Sequence, residues 1–439
     1  MVRVDAQGED TRLRVSNVLN PGPTLRTTTV LRVLLSIQDL DVRGFHFNAS
    51  GLVVDVSPTW KIARCGECGA KCRSVHDGRQ RRWRHHDLAG MTLHLRYRIR
   101  RVRCQDCRTV KTEKVSWAAH GGNFTYEFEE RAAFLAQQCS KTAVADLLRT
   151  AWRTVGMMIR RVVDRSLENT EGDGLDGLRL IGVDELSYRR HHEYVTVVVD
   201  HERGRVVWAS KGKSAATLKR FFEDLGPERC SQLEAVTIDL SKAYIKAVTE
   251  ASPEAKLIFD RFHVQRLVQQ ALDETRRDEV RAATTQADKA ALKGTRWSLQ
   301  KREWNLTNAD VQTLEELEQV NQPIFRGHML KESLVSILDG RQINVARRRL
   351  TLWISEAKRS GLVHFARVAR TISKHIDGIL EYIRSRLSNG RTEGLNGKIR
   401  TITRRAFGFH SARALISMIF LCCGGVHVTP AFSAPPGFH

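Results

Sequence analysis

No stretch of this chain holds 18 consecutive apolar residues, which excludes an ordinary membrane-spanning helix. The longest candidate, Leu415 to Cys423, is too short and is broken by Ser417. The opening Met-Val-Arg-Val-Asp lacks the apolar core of a secretory leader, so a cytoplasmic protein with no membrane partner is expected. Cysteine is scarce and odd in number, nine in 439 residues, which argues against a full set of disulfides. A hydrophobic fraction of 41% with 27% charged residues excludes collagen-like and wholly disordered chains. Acidic residues are also in short supply, 49 against 71 lysines and arginines.

That imbalance leaves a net charge of +22, far more than solubility requires. A field of this sign and size attracts a polyanion, and nucleic acid is the commonest one in a cell. The excess is uneven. Between Lys61 and His120 there are 16 basic and 5 acidic residues, a net of +11 in about a seventh of the chain.

Four cysteines fall inside this basic stretch. Cys65-Gly-Glu-Cys68 and Cys104-Gln-Asp-Cys107 are two Cys-x-x-Cys knuckles separated by 35 residues. Each knuckle presents two thiolates on one tight turn, with Gly66 and Gly69 easing the first. Together they complete a tetrahedral, structural zinc site. Cys72 and His76 are spare ligands that a four-thiolate site does not need. From Thr92 to Arg100 apolar and polar residues alternate, as in a strand with one buried face. Leu93, Leu95, Tyr97 and Ile99 share one face, while His94, Arg96, Arg98 and Arg100 share the other, where arginines can neutralise phosphates.

Next come three short helical patterns. Tyr126 to Gln138 is followed by a short helix with Thr142 as its expected N-cap, and then by a basic helix over residues 154–169. In the last, Val155, Met158, Ile159 and Val162 point inward, and Arg153, Arg160, Arg161 and Arg165 outward. Short helix, tight break, basic helix is the helix-turn-helix pattern. The segment Glu171-Gly-Asp-Gly-Leu-Asp-Gly reads as a linker.

Beyond the linker the pattern turns to strands. Residues 178–184 form an apolar run ending in Asp184, residues 194–200 a second strand, and residues 205–210 a third, joined to the second by a His-Glu-Arg-Gly turn. A helix over 214–225, a strand over 235–239 ending in Asp239, a helix over 241–249, and a strand over 256–260 ending in Asp260 follow. Three antiparallel strands followed by helix, strand, helix and strand is the order of an RNase H-like sheet. In that sheet the first and fourth strands are neighbours, which brings Asp184 to Asp239. Two carboxylates so close repel unless cations lie between them, and hard oxygen ligands suit Mg²⁺ or Mn²⁺, two per site. A third carboxylate is Glu393 in Ser388-Asn-Gly-Arg-Thr-Glu-Gly-Leu-Asn-Gly-Lys-Ile-Arg400, with Asn396 one helical turn further on. Asp200 reads as a turn residue. Asp260 and His263 are placed to support the pair, and Arg189, Arg190, Lys242, Arg391, Lys398, Arg404 and Arg405 to meet phosphates around it. Residues 264–385 are charge-dense and helical in pattern, with no convincing strand.

Taken together, Asp184-Glu-Leu-Ser-Tyr-Arg-Arg190, Ile238-Asp-Leu-Ser-Lys-Ala-Tyr244, Phe259-Asp-Arg-Phe-His-Val264 and Thr392-Glu-Gly-Leu-Asn-Gly-Lys-Ile-Arg400 with Arg404-Arg-Ala-Phe-Gly-Phe409 resemble the ISL3 family of bacterial insertion-sequence transposases. The resemblance covers roughly residues 31–425, zinc module included. The family often has Asn where this chain has Thr392. The resemblance implies a DDE triad of Asp184, Asp239 and Glu393, and a multidomain α+β chain. Its parts are an arm (1–30), a zinc module (31–120), a helix-turn-helix domain (121–172), an RNase H-like catalytic domain (173–265 and 376–425) interrupted by a helical insertion (266–375), and a tail (426–439). It further implies double-stranded DNA partners, namely terminal inverted repeats and target DNA, a homodimer and a nucleoid-associated bacterial protein. The rival expectations are a catalytically silent DNA-binding regulator and an RNase H-like nuclease or resolvase. Intact carboxylates count against the first, and the N-terminal end-binding modules against the second.

Overall fold

A computed structural model describes residues 26–169, 174–189, 193–387, 390–406 and 408–428. Most of the expected arm, part of the linker, Arg190 and most of the tail lie outside the described residues, as do the side chains of Arg189, Arg391, Thr392 and Glu393. The chain divides into two compact units with a boundary between Arg131 and Ala132.

The first unit begins with helix α1 (Thr27–Leu35), so residues 27–30, expected in the arm, form its first turn. Seven strands follow: β1 (Leu40–Asn48), β2 (Gly51–Pro58), β3 (Ala63–Arg64), β4 (Lys71–Cys72), β5 (Val75–Leu88), β6 (Met91–Cys104) and β7 (Thr109–Thr112). The main sheet has the order β1-β2-β6-β5, with β7 paired to β6, while β3 and β4 form a separate ribbon. The alternation read in β6 holds: Leu93, Leu95 and Ile99 are buried with Trp83 and Trp117, and Tyr97 packs at the edge of the same cluster. Ala89 and Gly90 both have positive φ and close the β5–β6 hairpin tightly.

Near the end of β5, His85 is buried with Nδ1 2.9 Å from Thr125 Oγ1, and the His86 ring lies beside it. Burial, with the nearby Arg131 charge, pushes the His85 imidazole down to about 4 and the His86 imidazole to about 3. The unfolded chain therefore takes up protons first as pH falls. Stability conferred by these neutral rings is complete above about pH 6.5 and is lost as pH drops toward 4. Each ring contributes ~1.4 kcal/mol for every pH unit by which folding depresses its imidazole. Thermal melting across pH 7 to 4 should show that slope, and His86→Phe should flatten it.

The unit boundary falls within α2 (Tyr126–Gln138), which leads to α3 (Lys141–Leu147) and α4 (Trp152–Glu168). The N-cap of α3 is Ser140, whose Oγ accepts the Ala143 N–H at 3.2 Å, and not Thr142 as the sequence suggested. Both residues suit the role, and the break before Ser140 decides between them. Val155, Met158, Ile159, Val162 and Val163 of α4 are buried, as its periodicity requires.

The second sheet contains β8 (Leu180–Arg189), β9 (Glu193–Asp200) and β10 (Arg205–Lys211), then α5 (Ala215–Leu225), α6 (Pro227–Cys230), β11 (Ala235–Ile238), α7 (Lys242–Ala251) and β12 (Lys256–Phe259). The strand order is β10-β9-β8-β11-β12, with β8 and β11 parallel neighbours. The first strand does not end at Asp184 as expected. It continues to Arg189 because its outer half stays paired with β9, through a register shift between Ser187 and Arg189. Asp200 is the turn residue expected: its Oδ1 accepts from the N–H groups of Glu202 and Arg203.

Only helices follow in the described residues: α8 (Arg261–Ala282), α9 (Gln286–Gly294), α10 (Arg296–Gln300), α11 (Asn308–Val320), α12 (Gln322–Asp339), α13 (Ile343–Arg359), α14 (Val363–Lys374), α15 (Ile376–Ser385), α16 (Gly390–Arg405) and α17 (Ala412–Cys423). One buried cluster runs from Ile181, Val198 and Val236 in the sheet through Leu272 of α8 to Trp353 and Phe365 of the later helices. None of the described helices is long and apolar enough to cross a membrane. Helix α15 meets β12 at Gly378, where a Cβ would lie 2.5 Å from the Phe259 ring and 3.0 Å from the Leu257 carbonyl oxygen. Gly378→Ala should therefore cost ~1–3 kcal/mol through overpacking, read as a lower melting temperature.

Candidate functional site

The register of the second sheet sets its chemistry. Thr237 of β11 pairs with Gly182 of β8, so two residues further on Asp239 comes level with Asp184 on the neighbouring strand. Likewise Ile238 pairs with Phe259, which brings Asp260 level with Asp239. Parallel neighbours lie ~4.8 Å apart with matching side-chain faces, so three aspartates from three adjacent strands are gathered at one edge.

Their surroundings differ. Asp184 is largely enclosed. Its Oδ1 accepts the Glu185 N–H at 2.7 Å, and its Oδ2 accepts from Asn396 Nδ2. Burial raises the Asp184 carboxyl above its ordinary range and the Asp239 charge adds to the rise, while the Glu185 N–H, His263 and the Asn396 amide oppose it. Asp239 is held by the Ser241 N–H, which donates to its Oδ1 at 3.0 Å. Asp260, 1% exposed, precedes α8, and His263 Nε2 lies 3.8 Å from its Oδ2. Asn396, 2% exposed, anchors α16 to Asp184. Glu393 lies in the same helix three residues before Asn396, and its side chain is outside those described.

Sequence reading missed Glu185. It is half-buried, and burial together with the Asp239 charge raises its carboxyl, while a hydrogen bond to Tyr244 opposes the rise. Tyr244 is itself buried, its hydroxyl 2.8 Å from Thr196 Oγ1. The quoted motifs contain both residues, but only the fold joins them, through the Tyr244 hydroxyl that meets Glu185 of β8 and Thr196 of β9.

The predicted cations separate into two groups. Arg96 forks onto Asp55, Arg100 onto the fully buried Glu113, and Arg405 donates to the Ala136 and Gln137 carbonyl oxygens at 2.7 and 3.0 Å. Lys398 donates to the Cys422 carbonyl oxygen at 2.6 Å. These four are tied into the structure. Arg98, Arg153, Lys242 and Arg404 are exposed, and Arg160 and Arg161 are partly so.

In the first unit the four knuckle cysteines converge, with all four sulfurs within 4.8 Å of one another. Cys65 and Cys107 sulfurs are 3.9 Å apart and those of Cys68 and Cys104 3.4 Å, close to the ~3.8 Å edge of a tetrahedron built on 2.3 Å zinc–sulfur bonds. The Cys107 N–H donates to Cys104 Sγ, and this pulls the Cys104 thiol down to about 7. Gly69 turns the first knuckle with φ +75°. Gly66 serves differently: its N–H donates to the Thr112 carbonyl oxygen at 3.0 Å, and a Cβ would lie 2.6 Å from that oxygen. Cys72 instead directs its sulfur to the Ala70 carbonyl oxygen, and exposed His76 is not in the cluster.

Comparison with known proteins agrees with this layout. A family model described as a transposase, of the DDE type and the ISL3 family, matches residues 181–419. The helix-turn-helix domain of transposase family ISL3 matches residues 113–163. The zinc-finger of transposase IS204/IS1001/IS1096/IS1165 matches residues 61–107, which supports a structural zinc at the four cysteines. The transposase for insertion sequence element IS1557 of Mycobacterium tuberculosis is 37% identical over 390 residues, covering 83% of this chain and 86% of the relative. The transposase for insertion sequence element IS1001 of Bordetella parapertussis is 30% identical over 362 residues, covering 82% and 88%.

Proposed function

The chain belongs to the ISL3 family of insertion-sequence transposases, and from that premise we propose that it cuts DNA at the terminal inverted repeats of its element and joins the freed ends to target DNA. In this reading the second sheet is an RNase H-like catalytic domain, residues 266–375, from within α8 through α14, form its insertion, and Asp184, Asp239 and Glu393 are the triad. The observation that carries the proposal is the Asn396–Asp184 hydrogen bond. It fastens the helix bearing Glu393 to the strand edge where Asp184 and Asp239 lie level.

The donor set suits hard divalent cations. Asp184 and Asp239 are oxygen ligands on adjacent strands whose mutual repulsion a cation would relieve. With Glu393 they would hold two Mg²⁺ or Mn²⁺ ions, which when bound lower the pKa of an attacking water or 3′-hydroxyl and stabilise the leaving oxygen. The protein's own part is positioning. The Asn396 amide and the Glu185 N–H fix the orientation of Asp184, and the Ser241 N–H that of Asp239. The exposed Lys242 and Arg404 would draw the phosphates in. The zinc module and helix-turn-helix would recognise the repeats, and the joining of two ends calls for a homodimer acting on double-stranded DNA within the bacterial nucleoid.

Purified protein incubated with DNA spanning its element's ends should nick at the repeat boundary only with Mg²⁺ or Mn²⁺, leaving 3′-hydroxyls mapped at nucleotide resolution. Cuts scattered through the sequence, or cuts without a divalent ion, would reject the proposal.

A further inference from the structure

Four cations line a cavity of about 610 Å³ between α4 and α17, whose lining includes none of the site carboxylates. Arg153, Gly156 and Arg160 line it from α4, Lys141 from the start of α3, and Arg413 from α17. Their spacing on α4, at i, i+3 and i+7, puts them on one face. The Lys141 ammonium is half-buried and sits 3.3 Å from the centre of the Trp152 ring. It passes over Gly156, where a Cβ would be 2.8 Å from Nζ. Among the described residues, none of these four cations has a carboxylate partner, and no acid lines the cavity. This differs from Arg96 and Arg100, whose charges are already answered. The cavity also receives the N-terminal end of α17, capped by Ser411, so the helix dipole adds positive potential.

Like charges gathered without a counter-charge are destabilising unless an anion completes the site. Burial alone already weakens the Lys141 ammonium, bringing it down to about 8. Beside these cations the wall carries Trp152 and Met157, with the His410 ring 5.7 Å from that of Trp152, and Trp152 is 43% exposed. Cations tracking a backbone next to an exposed aromatic ring is the chemistry of single-stranded nucleic-acid binding. The volume falls in the ~300–1,000 Å³ range of small-ligand pockets, room for roughly one or two nucleotides and too small for a duplex.

We propose that this groove binds a single strand of DNA, with its phosphates on Lys141, Arg153, Arg160 and Arg413 and an unpaired base against Trp152. The inference rests on the transposase reading for the origin of that strand, which would be an end released by cleavage.

The test uses the full chain with zinc bound and no added magnesium. Binding of a fluorescent oligo-dT single strand and of duplex terminal-repeat DNA is measured by anisotropy over a range of salt. Lys141→Met with Arg413→Ser should weaken single-strand binding about tenfold or more and leave duplex binding within about twofold. It should also lower the slope of log affinity against log salt by ~0.7 for each phosphate no longer neutralised. Arg413→Ser alone, at an exposed position, carries the same test if the double variant fails to fold, with a slope lower by ~0.7. Unchanged single-strand binding overturns the proposal. So does an equal loss on duplex, which would place these cations on the duplex-binding face. End cleavage that occurs normally alongside unchanged single-strand binding removes the groove alone. Selective loss of single-strand binding in a chain that cuts no element ends keeps the groove and removes the transposase reading.

Discussion

Asp184→Asn should abolish Mg²⁺-dependent cleavage of element-end DNA, lowering it by about a thousandfold or more, while terminal-repeat binding stays within about twofold. The size follows from what is lost. An amide oxygen is a weaker, uncharged ligand, and the clamp it weakens supplies several kcal/mol of transition-state stabilisation, each ~1.4 kcal/mol being tenfold in rate. Stability should move the other way. Burial and the Asp239 charge both disfavour ionised Asp184, so a neutral isostere removes repulsion and the melting temperature should hold or rise. That opposition separates a functional carboxylate from a structural one, because a structural acid would lose stability when neutralised. Asn396→Ala makes the companion measurement. It removes the amide that ties α16 to Asp184, so cleavage should fall while the apparent affinity for Mn²⁺ weakens, and Asn396→Asp should not rescue it, since a second carboxylate there repels Asp184. Full cleavage by Asp184→Asn would dismiss the triad whatever the family resemblance.

Much of this site was legible in the residues for physical reasons. Strands buried on both faces read as apolar runs, and the acids that end them stand out, so Asp239 and Asp260 were placed by pattern alone. Thiolate spacing in the knuckles is fixed by the turn that bears them, and the four cysteines could be paired without a structure. Alternation in β6 gave its buried face for the same reason. What escaped detection was set by distant partners. Arg96 meets Asp55 and Arg100 meets Glu113 across neighbouring strands, so residues that read as phosphate ligands turn out to be neutralised within the fold. The continuation of β8 past Asp184 depends on pairing with β9, which no local period encodes. Glu185 hid because a strand alternates its faces, and its environment is made by Tyr244 of α7. The basic groove escaped because one of its four cations, Arg413, lies more than 250 residues beyond Arg160 in the chain.

Removal of zinc should unfold one part of the first unit and spare the rest. Two packing clusters make the division. The sheet cluster of Trp83, Leu95, Ile99 and Trp117 does not involve the knuckles, whereas among the described residues the cluster around the site buries Ala63, Cys65, Cys72, Val102 and Cys104, with Ala70 and Cys107 packed against them. These small side chains bury too little surface to hold two knuckles in place, so the metal must supply the difference; structural zinc is worth ~10–16 kcal/mol in isolated finger peptides. Cys104→Ser, or chelation, should therefore abolish the one zinc per chain and remove hydrogen-exchange protection from β3, β4 and β7, while protection in β2 and β5 persists. Terminal-repeat affinity should fall about tenfold or more, ~1.4 kcal/mol, because the exposed Arg64 and Lys71 lose their fixed positions on the knuckle strands. Cys72→Ser separates ligand from neighbour: its sulfur faces the Ala70 carbonyl oxygen, so zinc content should not change. Zinc uptake should also weaken as pH falls, because the metal must displace protons from thiols that the neighbouring sulfurs and burial hold up, Cys107 to about 12, and only Cys104 is drawn down, to about 7. A zinc-free chain that keeps full protection over residues 63–72 and 104–112 would show that the four cysteines pack well enough without an ion, and the structural role assigned to it would fall.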